Sequence, residues 1–252
     1  MLGQSTPSEV RRLRPGWWHG PDIAFVPAKL LVLGGVLMFV LYIFMDVAAS
    51  LSYPGYSYTD QTISELSAIG APTRTFWLVM SVGYQFLAFA FALGVLAVAG
   101  PRRNLRMVGV LLLAAAVVGL LWWIAPMHQR EVLAADGGTW QDTMHLVVGG
   151  VSSGLFFVTI AVGAFVFGKA FRLYSFVTIA ALLAFGALTS LDAADVSSNA
   201  STAWLGIWER IAVEGAILWG AVFAAVLLWR SRRADATAGV RPDGGPHPAR
   251  VE

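Results

Sequence analysis

The stretch LLVLGGVLMFVLYIFMDVAA, residues Leu30–Ala49, decides the fold, because its twenty residues contain a single charged side chain, Asp46. A helix needs about 20 apolar residues to cross a hydrocarbon core about 30 Å thick. Five more apolar stretches follow, separated by short connections. They are Trp77–Ala99, Met107–Ala125, His145–Phe167, Tyr174–Leu191 and Ile211–Trp229. The sequence therefore predicts an all-α, polytopic membrane bundle of six transmembrane helices.

The composition agrees with a membrane protein. The 252 residues are 57% hydrophobic and 13% charged, whereas a soluble domain carries about 25% charged residues. Cysteine is absent, which excludes disulfides, thiolate metal sites and cysteine nucleophiles. We expect three segments: a cytoplasmic N-terminal segment (1–28), a six-helix transmembrane domain (29–230) and a disordered cytoplasmic tail (231–252).

The basic residues predict the orientation, since Lys and Arg accumulate on the cytoplasmic side of membrane proteins. In a six-pass topology all but three of the 17 basic residues fall on one side, the exceptions being Arg74, Arg130 and Arg210. Both termini are thus predicted to be cytoplasmic, in a multi-pass protein of the cell membrane. Because the positive charge belongs to membrane edges, we expect the lipid bilayer as a partner and no nucleic acid.

The first outer loop contains a helix-start signal. Thr62-Ile-Ser-Glu65 matches a capping box, in which the Thr hydroxyl and the Glu carboxylate satisfy each other's free backbone N–H groups. Gly70 and Pro72 then stop the run. The sequence predicts a short interfacial helix around Thr62–Ala68 that covers the outer mouth of the bundle.

Polar side chains concentrate on the same predicted side. Ionisable residues inside membrane spans are costly and normally face the bundle interior with partners. Arg210 and Glu214 stand at i, i+4 and are expected to pair on one helix face. We predict one shared, outward-opening pocket, lined by Asp46, Asp60, Ser64, Glu65, His128, His145, Asp192, Glu209, Arg210 and Glu214.

These residues also carry a resemblance to a known family. Ile63-Ser64-Glu65-Leu66 followed by Pro72, then Pro126 and His128, His145 and Glu209-Arg210, resemble the pattern of the bacterial and archaeal membrane proteins called domain of unknown function 998. The resemblance covers roughly residues 30–230 and departs at Ser67, where that family usually has Gly. It implies a six-helix membrane protein without an established activity, so no catalytic residue can be carried over.

Three functional classes remain open. The first is a structural or lipid- or small-amphiphile-binding membrane protein. The second is a metal-dependent intramembrane hydrolase acting on lipid headgroups, with His128 and His145 as ligands of a divalent metal such as Zn²⁺. Glu65 or Glu214 would be its general base and Ser64 would orient the substrate. This arrangement resembles ceramidase-like hydrolases but has two His where they have three. A haem held by the same two histidines is a separate alternative. The third is a proton-coupled transporter that uses Glu214. Whether the protein is an enzyme, its cofactors and its oligomeric state are left undecided.

Close helix packing is also encoded in the sequence. Gly150 and Gly154 form a GxxxG pattern in the fourth span, and such patterns let helix backbones approach closely. We expect these glycines to serve packing within one chain rather than a dimer interface.

Overall fold

The computed structural model describes residues 28–239 and their side chains as far as residue 233. The predicted N-terminal segment up to residue 27 and the tail from residue 240 lie outside the described residues. Within them, the last helix continues to Gly239, into the segment predicted as a disordered tail.

Six helices in the described part of the chain are long and apolar enough to cross a membrane. The predicted all-α, polytopic bundle is therefore confirmed. Most helices are longer than their apolar runs; α6, for example, begins at Lys169, five residues before its apolar run. The elements are α1 (Ala28–Ser52), a 3₁₀ helix (Ile63–Ser67), α2 (Arg74–Ala99), α3 (Arg103–Gly119) continued by a 3₁₀ turn (Leu120–Trp123), α4 (Arg130–Ala134), α5 (Trp140–Gly163), α6 (Lys169–Leu191), α7 (Ala193–Ser197) and α8 (Leu205–Gly239).

The long helices form a closed ring. Each packs on its neighbour in chain order, and α8 closes the ring against α1. Phe91 of α2, Ile160 of α5, and Trp219 and Phe223 of α8 form the centre of the hydrophobic core. The ring brings α1 and α8, the first and last spans, into direct contact, which decides where their polar residues meet.

Small residues permit the closest helix approach between α1 and α2. A Cβ placed on Gly94 would lie 2.5 Å from the backbone nitrogen of Val32. The predicted role of the GxxxG pattern is not seen, since a Cβ on Gly150 or Gly154 would meet no atom within 4 Å. Those two glycines face open space, so they do not tighten packing within the described chain.

Three connections, residues 53–73, 124–139 and 192–204, meet at one end of the bundle, which we call the loop end. The 3₁₀ helix packs there on α1, α2 and α8, with Ile63 and Leu66 buried against Ala49 of α1. A short helix covering this mouth was predicted around Thr62–Ala68, and it is found at Ile63–Ser67. Its tighter 3₁₀ form is common in such short pieces.

Candidate functional site

The loop end contains a set of buried, mutually bonded side chains, which begins with the predicted capping box. The backbone N–H of Thr62 donates to Glu65 Oε2 at 2.7 Å, and the backbone N–H of Glu65 donates to Thr62 Oγ1 at 3.3 Å. Both halves of the box are present. The box turns the Glu65 carboxylate toward the interior of the loop end, where its side chain is 4% exposed.

Glu65 is held there by Arg130, the first residue of α4. The Arg130 Nε and Nη2 atoms donate to the two carboxylate oxygens at 2.5 and 3.0 Å, a bidentate pair. Gln61 Nε2 adds a third side-chain donor at 3.0 Å. Burial opposes ionisation of Glu65, but hydrogen bonds from Arg130, Gln61 and Thr62 outweigh it and lower the pKa of this carboxyl. Glu65 is thus a fixed, fully bonded carboxylate.

Arg130 also joins the three connections of the loop end. Its Nη1 atom donates to Thr202 Oγ1 at 2.8 Å and to the carbonyl of Ala200 at 3.3 Å. Its Nη2 atom donates to the carbonyl of Asp60 at 3.2 Å. One guanidinium therefore connects the first, second and third connections, using the fork of donors that only arginine offers.

A second bidentate pair links the first and last spans. Arg210 of α8 donates from Nε and Nη2 to the two Asp46 oxygens, each at 2.8 Å, and both side chains are almost completely buried. Its Nη1 atom donates to the carbonyls of Tyr58 and Gln61 at 2.8 and 3.2 Å. The guanidinium also stacks on the Tyr58 ring, 3.6 Å from its centroid, as a cation–π contact.

Gln61 and Tyr56 connect the two pairs. The Gln61 side chain bonds Glu65, whereas its carbonyl accepts from Arg210. The Tyr56 hydroxyl donates to the carbonyl of Thr62 at 2.8 Å and accepts from Arg210 Nη2 at 2.9 Å. Burial raises the pKa of Tyr56, although Arg210 opposes the change, so the phenol stays protonated. We call Asp46, Glu65, Arg130, Glu209 and Arg210, with the side chains bonded to them, the polar network.

Glu209 attaches the 3₁₀ helix to α8. Its carboxylate accepts a short hydrogen bond from the backbone N–H of Ile63 and another from Ser64 Oγ at 3.1 Å. These donors belong to the first turn of the 3₁₀ helix, whose free N–H groups favour a carboxylate. Ser64 therefore orients Glu209 within the loop end.

The loop backbone lies directly on the start of α8. A Cβ on Gly206 would lie 2.4 Å from the carbonyl oxygen of Gln61 and 2.5 Å from that of Tyr58. Both neighbours are backbone atoms that also accept from Arg210. The absence of a side chain at Gly206 is what allows the first connection to reach this guanidinium.

Glu214 differs from the other carboxylates. Its Oε1 atom is buried and has no hydrogen-bond partner among the described residues. The predicted pairing of Arg210 with Glu214 is wrong, because Arg210 turns across the helix interface to Asp46 on α1. Glu214 instead lies beside Asp46, close enough for the two carboxyl groups to interact.

The two histidines lie at the same end but have separate partners. His128 Nδ1 lies 2.9 Å from Asp142 Oδ2, and the backbone N–H of His128 donates to Asp142 Oδ1 at 2.7 Å. His145 Nδ1 donates to the carbonyl of Ala125 at 2.9 Å, and its ring packs edge-on against Trp122. Across the described residues, no group of three or more His, Asp or Glu side chains is arranged to hold a metal ion.

Two further predicted residues lie at the margin. The Asp60 carboxylate accepts from the backbone N–H of Trp204 at 3.1 Å and from Ser57 Oγ at 2.8 Å, and these bonds lower its pKa. Asp60 thus fastens the first connection to the third. Asp192 directly follows the last residue of α6, and its side chain makes no hydrogen bond or ion pair within the described part of the chain.

The structure therefore joins Asp46, Asp60, Ser64, Glu65, Glu209 and Arg210 through shared hydrogen-bond partners and puts Glu214 beside them, whereas His128, His145 and Asp192 lie apart. Sequence reasoning missed Arg130, Gln61, Tyr56 and Thr202. One signal pointed to Arg130: a basic residue on the predicted outer side goes against the usual charge bias. A basic residue in that position suggests a local acidic partner, and the partner of Arg130 is Glu65.

Comparisons with known proteins identify the family. The sequence profile described as "protein of unknown function (DUF998)" matches residues 32–239, most of the chain. No curated protein and no solved structure gave a match. The chain belongs to the DUF998 family, which confirms the resemblance carried by the Ser64-Glu65-Leu66 element and its companions.

Proposed function

We propose that this DUF998 protein is a non-catalytic membrane protein that binds a lipid or small amphiphile, with the polar network as its structural cap. The loop end faces the outside of the cell in this proposal, in keeping with the scarcity of basic residues there.

The observation that carries the proposal is that the carboxylates of the two bidentate pairs already have their hydrogen-bonding capacity occupied. Glu65 accepts five hydrogen bonds, two from Arg130, two from Thr62 and one from Gln61. A carboxylate offers about four lone-pair sites, so none is left to take a proton from a water molecule or substrate. Asp46 has both oxygens on Arg210. Groups bonded in this way stabilise a structure and make poor general bases.

Glu214 supplies the point of recognition. It is a partly exposed side chain on α8 whose buried Oε1 atom lacks a donor among the described residues. A polar atom removed from water without a partner costs free energy, which a ligand donor would recover. The matching ligand has an apolar body that follows the helices and a hydroxyl or amine that donates to Glu214.

Native mass spectrometry of the full-length protein, extracted gently from its membrane, tests this function. We expect a co-purifying amphiphile on the unaltered protein and its loss or weakening in Glu214→Gln. Gln keeps the shape of the side chain but replaces one acceptor oxygen with an amide donor. Asp192→Asn is the matched control, because it removes a carboxylate near the same end that has no described partner, and it should keep the ligand.

Two results would contradict the proposal. The first is protein that carries no bound amphiphile from any mild extraction and gains no thermal stability from added lipids. The second is turnover of a lipid headgroup that disappears in Glu65→Gln while the fold is retained, because this carboxylate would then act in chemistry. The hydrolase reading stays a prediction, which elemental analysis for bound metal in His128→Ala and His145→Ala protein would test.

A proton-coupled transporter is a second candidate, favoured by the adjacency of Asp46 and Glu214. Arg210 pairs with Asp46 alone, so Glu214 lies beside that ion pair within the spans without a basic partner of its own among the described residues. A proton between these two carboxyl groups would link its uptake to movement of α8 against α1. Proteoliposomes containing the protein should then acidify internally under an imposed pH gradient, and Glu214→Gln should abolish the signal. An internal pH that stays unchanged with the unaltered protein as well as with Glu214→Gln would contradict the transporter proposal.

A further inference from the structure

The end of the bundle opposite the loop end contains a cavity with basic and apolar walls. Its volume is about 280 Å³, and it lies between the start of α1, the end of α2, the later part of α8 and the connection after α5. The basic walls are Lys29, Arg102 and Arg230. The apolar walls are Val98, Val166, Phe167, Leu227 and Leu228.

The two arginines are positioned by contacts that leave donors available. Arg102 donates from Nε and Nη2 to the carbonyls of Ala99 and Val98, which uses two of the five N–H groups of a guanidinium. Arg230 lies over the Phe167 ring, 5.0 Å from its centroid, a contact that uses none of its N–H groups as a hydrogen-bond donor. Neither guanidinium meets a carboxylate among the described residues.

Among the side chains that the structure describes, those near this cavity carry charge of one sign. The residues at this end whose side chains are described, 28–36, 95–110, 162–175 and 220–233, contain no Asp or Glu. They contain nine basic residues, namely Lys29, Arg102, Arg103, Arg106, Lys169, Arg172, Arg230, Arg232 and Arg233. Such a field attracts an anion.

We propose that this cavity is a binding site for the headgroup of an anionic phospholipid. The phosphodiester lies between Arg102 and Arg230, which offer planar donor pairs suited to phosphate oxygens. The acyl chains leave along the wall formed by Val98, Phe167 and Leu227. Basic pockets between transmembrane helices at the cytoplasmic leaflet suit anionic headgroups, and the positive-inside rule assigns this end to that leaflet. The site is independent of the proposed function, which concerns the opposite end.

Lipid titration tests the site. The full-length protein is reconstituted in phosphatidylcholine nanodiscs, and phosphatidylglycerol with the same acyl chains is added while thermal stability and native mass spectra are recorded. We expect phosphatidylglycerol to bind and to raise the unfolding temperature. The double variant Arg102→Gln and Arg230→Gln should bind it roughly 30-fold more weakly, given the usual contribution of each basic residue near an anionic surface.

A matched double variant, Arg103→Gln and Arg232→Gln, separates a site from general surface charge. It removes the same charge at the same end, and neither residue lines the cavity. We expect it to bind phosphatidylglycerol like the unaltered protein. Equal losses in the two double variants would overturn the proposal. So would stabilisation by inorganic phosphate equal to that by phosphatidylglycerol, because the site would then take free phosphate and have no need of a lipid.

Discussion

At the scale of single residues, the contacts of Arg210 show why the beginning of α8 carries an arginine. It neutralises Asp46 with two parallel hydrogen bonds, donates to loop carbonyls and stacks on Tyr58. A lysine ammonium is a point charge that cannot form this planar arrangement. The residue thus performs three tasks that no other single side chain combines.

Removing one half of this pair should destabilise the protein strongly. We expect Asp46→Asn and Arg210→Ala each to lower the free energy of unfolding by about 3–5 kcal/mol, because the remaining charge is buried without its partner. Arg210→Lys should rescue little of this. Thermal unfolding in one fixed detergent is the measurement. The double variant Asp46→Leu with Arg210→Met should be more stable than either single variant, and equal stability of all variants and the unaltered protein would contradict the assignment.

The lowered pKa of Glu65 predicts how stability depends on pH. A carboxyl whose pKa falls on folding stabilises the protein above its unfolded pKa, near 4.3, and loses this contribution as pH falls further. The contribution of Glu65 to the unfolding temperature should therefore be full and constant between pH 7 and pH 5. It should decline below about pH 4. Glu65→Gln should be less stable than the unaltered protein at pH 7. The difference in stability between the two proteins should be smaller at pH 3 than at pH 7. A difference that stays constant across this range would show that Glu65 is not ionised in the fold.

At the scale of elements, the contact of the first connection with α8 determines the form of the loop end. Glu209 holds the start of the 3₁₀ helix, Arg210 holds the loop carbonyls, and Gly206 leaves room for them. These three residues lie within two turns of one helix. The beginning of α8 therefore acts as the surface on which the loop end is assembled.

Gly206→Ala should disrupt this contact. The new methyl group would lie 2.4 Å from the Gln61 carbonyl oxygen, and displacing backbone on this scale costs about 1–3 kcal/mol. The matched control is Gly215→Ala in the same helix, where a Cβ would meet nothing within 4 Å. The unfolding temperature should fall for Gly206→Ala. It should stay the same or rise for Gly215→Ala, since Ala is the better helix former. Equal effects would mean that the loop does not lie on Gly206.

Sequence patterns predicted the local parts of this arrangement and missed the distant ones. The Thr62–Glu65 capping box was predictable because its partners are three residues apart. The same logic of short spacing wrongly paired Arg210 with Glu214, whereas the actual partner, Asp46, is 164 residues away in the chain. Arg130 and Glu65 are 65 residues apart and meet only when two loops fold together. Periodicity identifies spans, but it does not identify such partners.

At the scale of the whole molecule, the six-helix ring separates a loop end rich in buried ion pairs from an end rich in exposed cations. The prediction that both termini are cytoplasmic can be measured with reporters. Green fluorescent protein fused after Val251 should fluoresce, and alkaline phosphatase inserted in the connection 124–139 should be active. Those positions lie on opposite sides in a six-pass topology. Phosphatase activity after Val251 would invert the orientation.

The distance between Asp46 and Arg210 along the chain has a consequence for biogenesis. A ribosome adding about 5–20 residues per second needs about 8–33 s to synthesise the 164 residues between them. During this interval α1 is already in the membrane without its counter-ion. Asp46 lies six residues before the end of α1 at Ser52, about 9 Å from that end, so water at the membrane surface can hydrate it. Insertion of α8 is then the event that dehydrates this carboxylate and supplies its counter-ion.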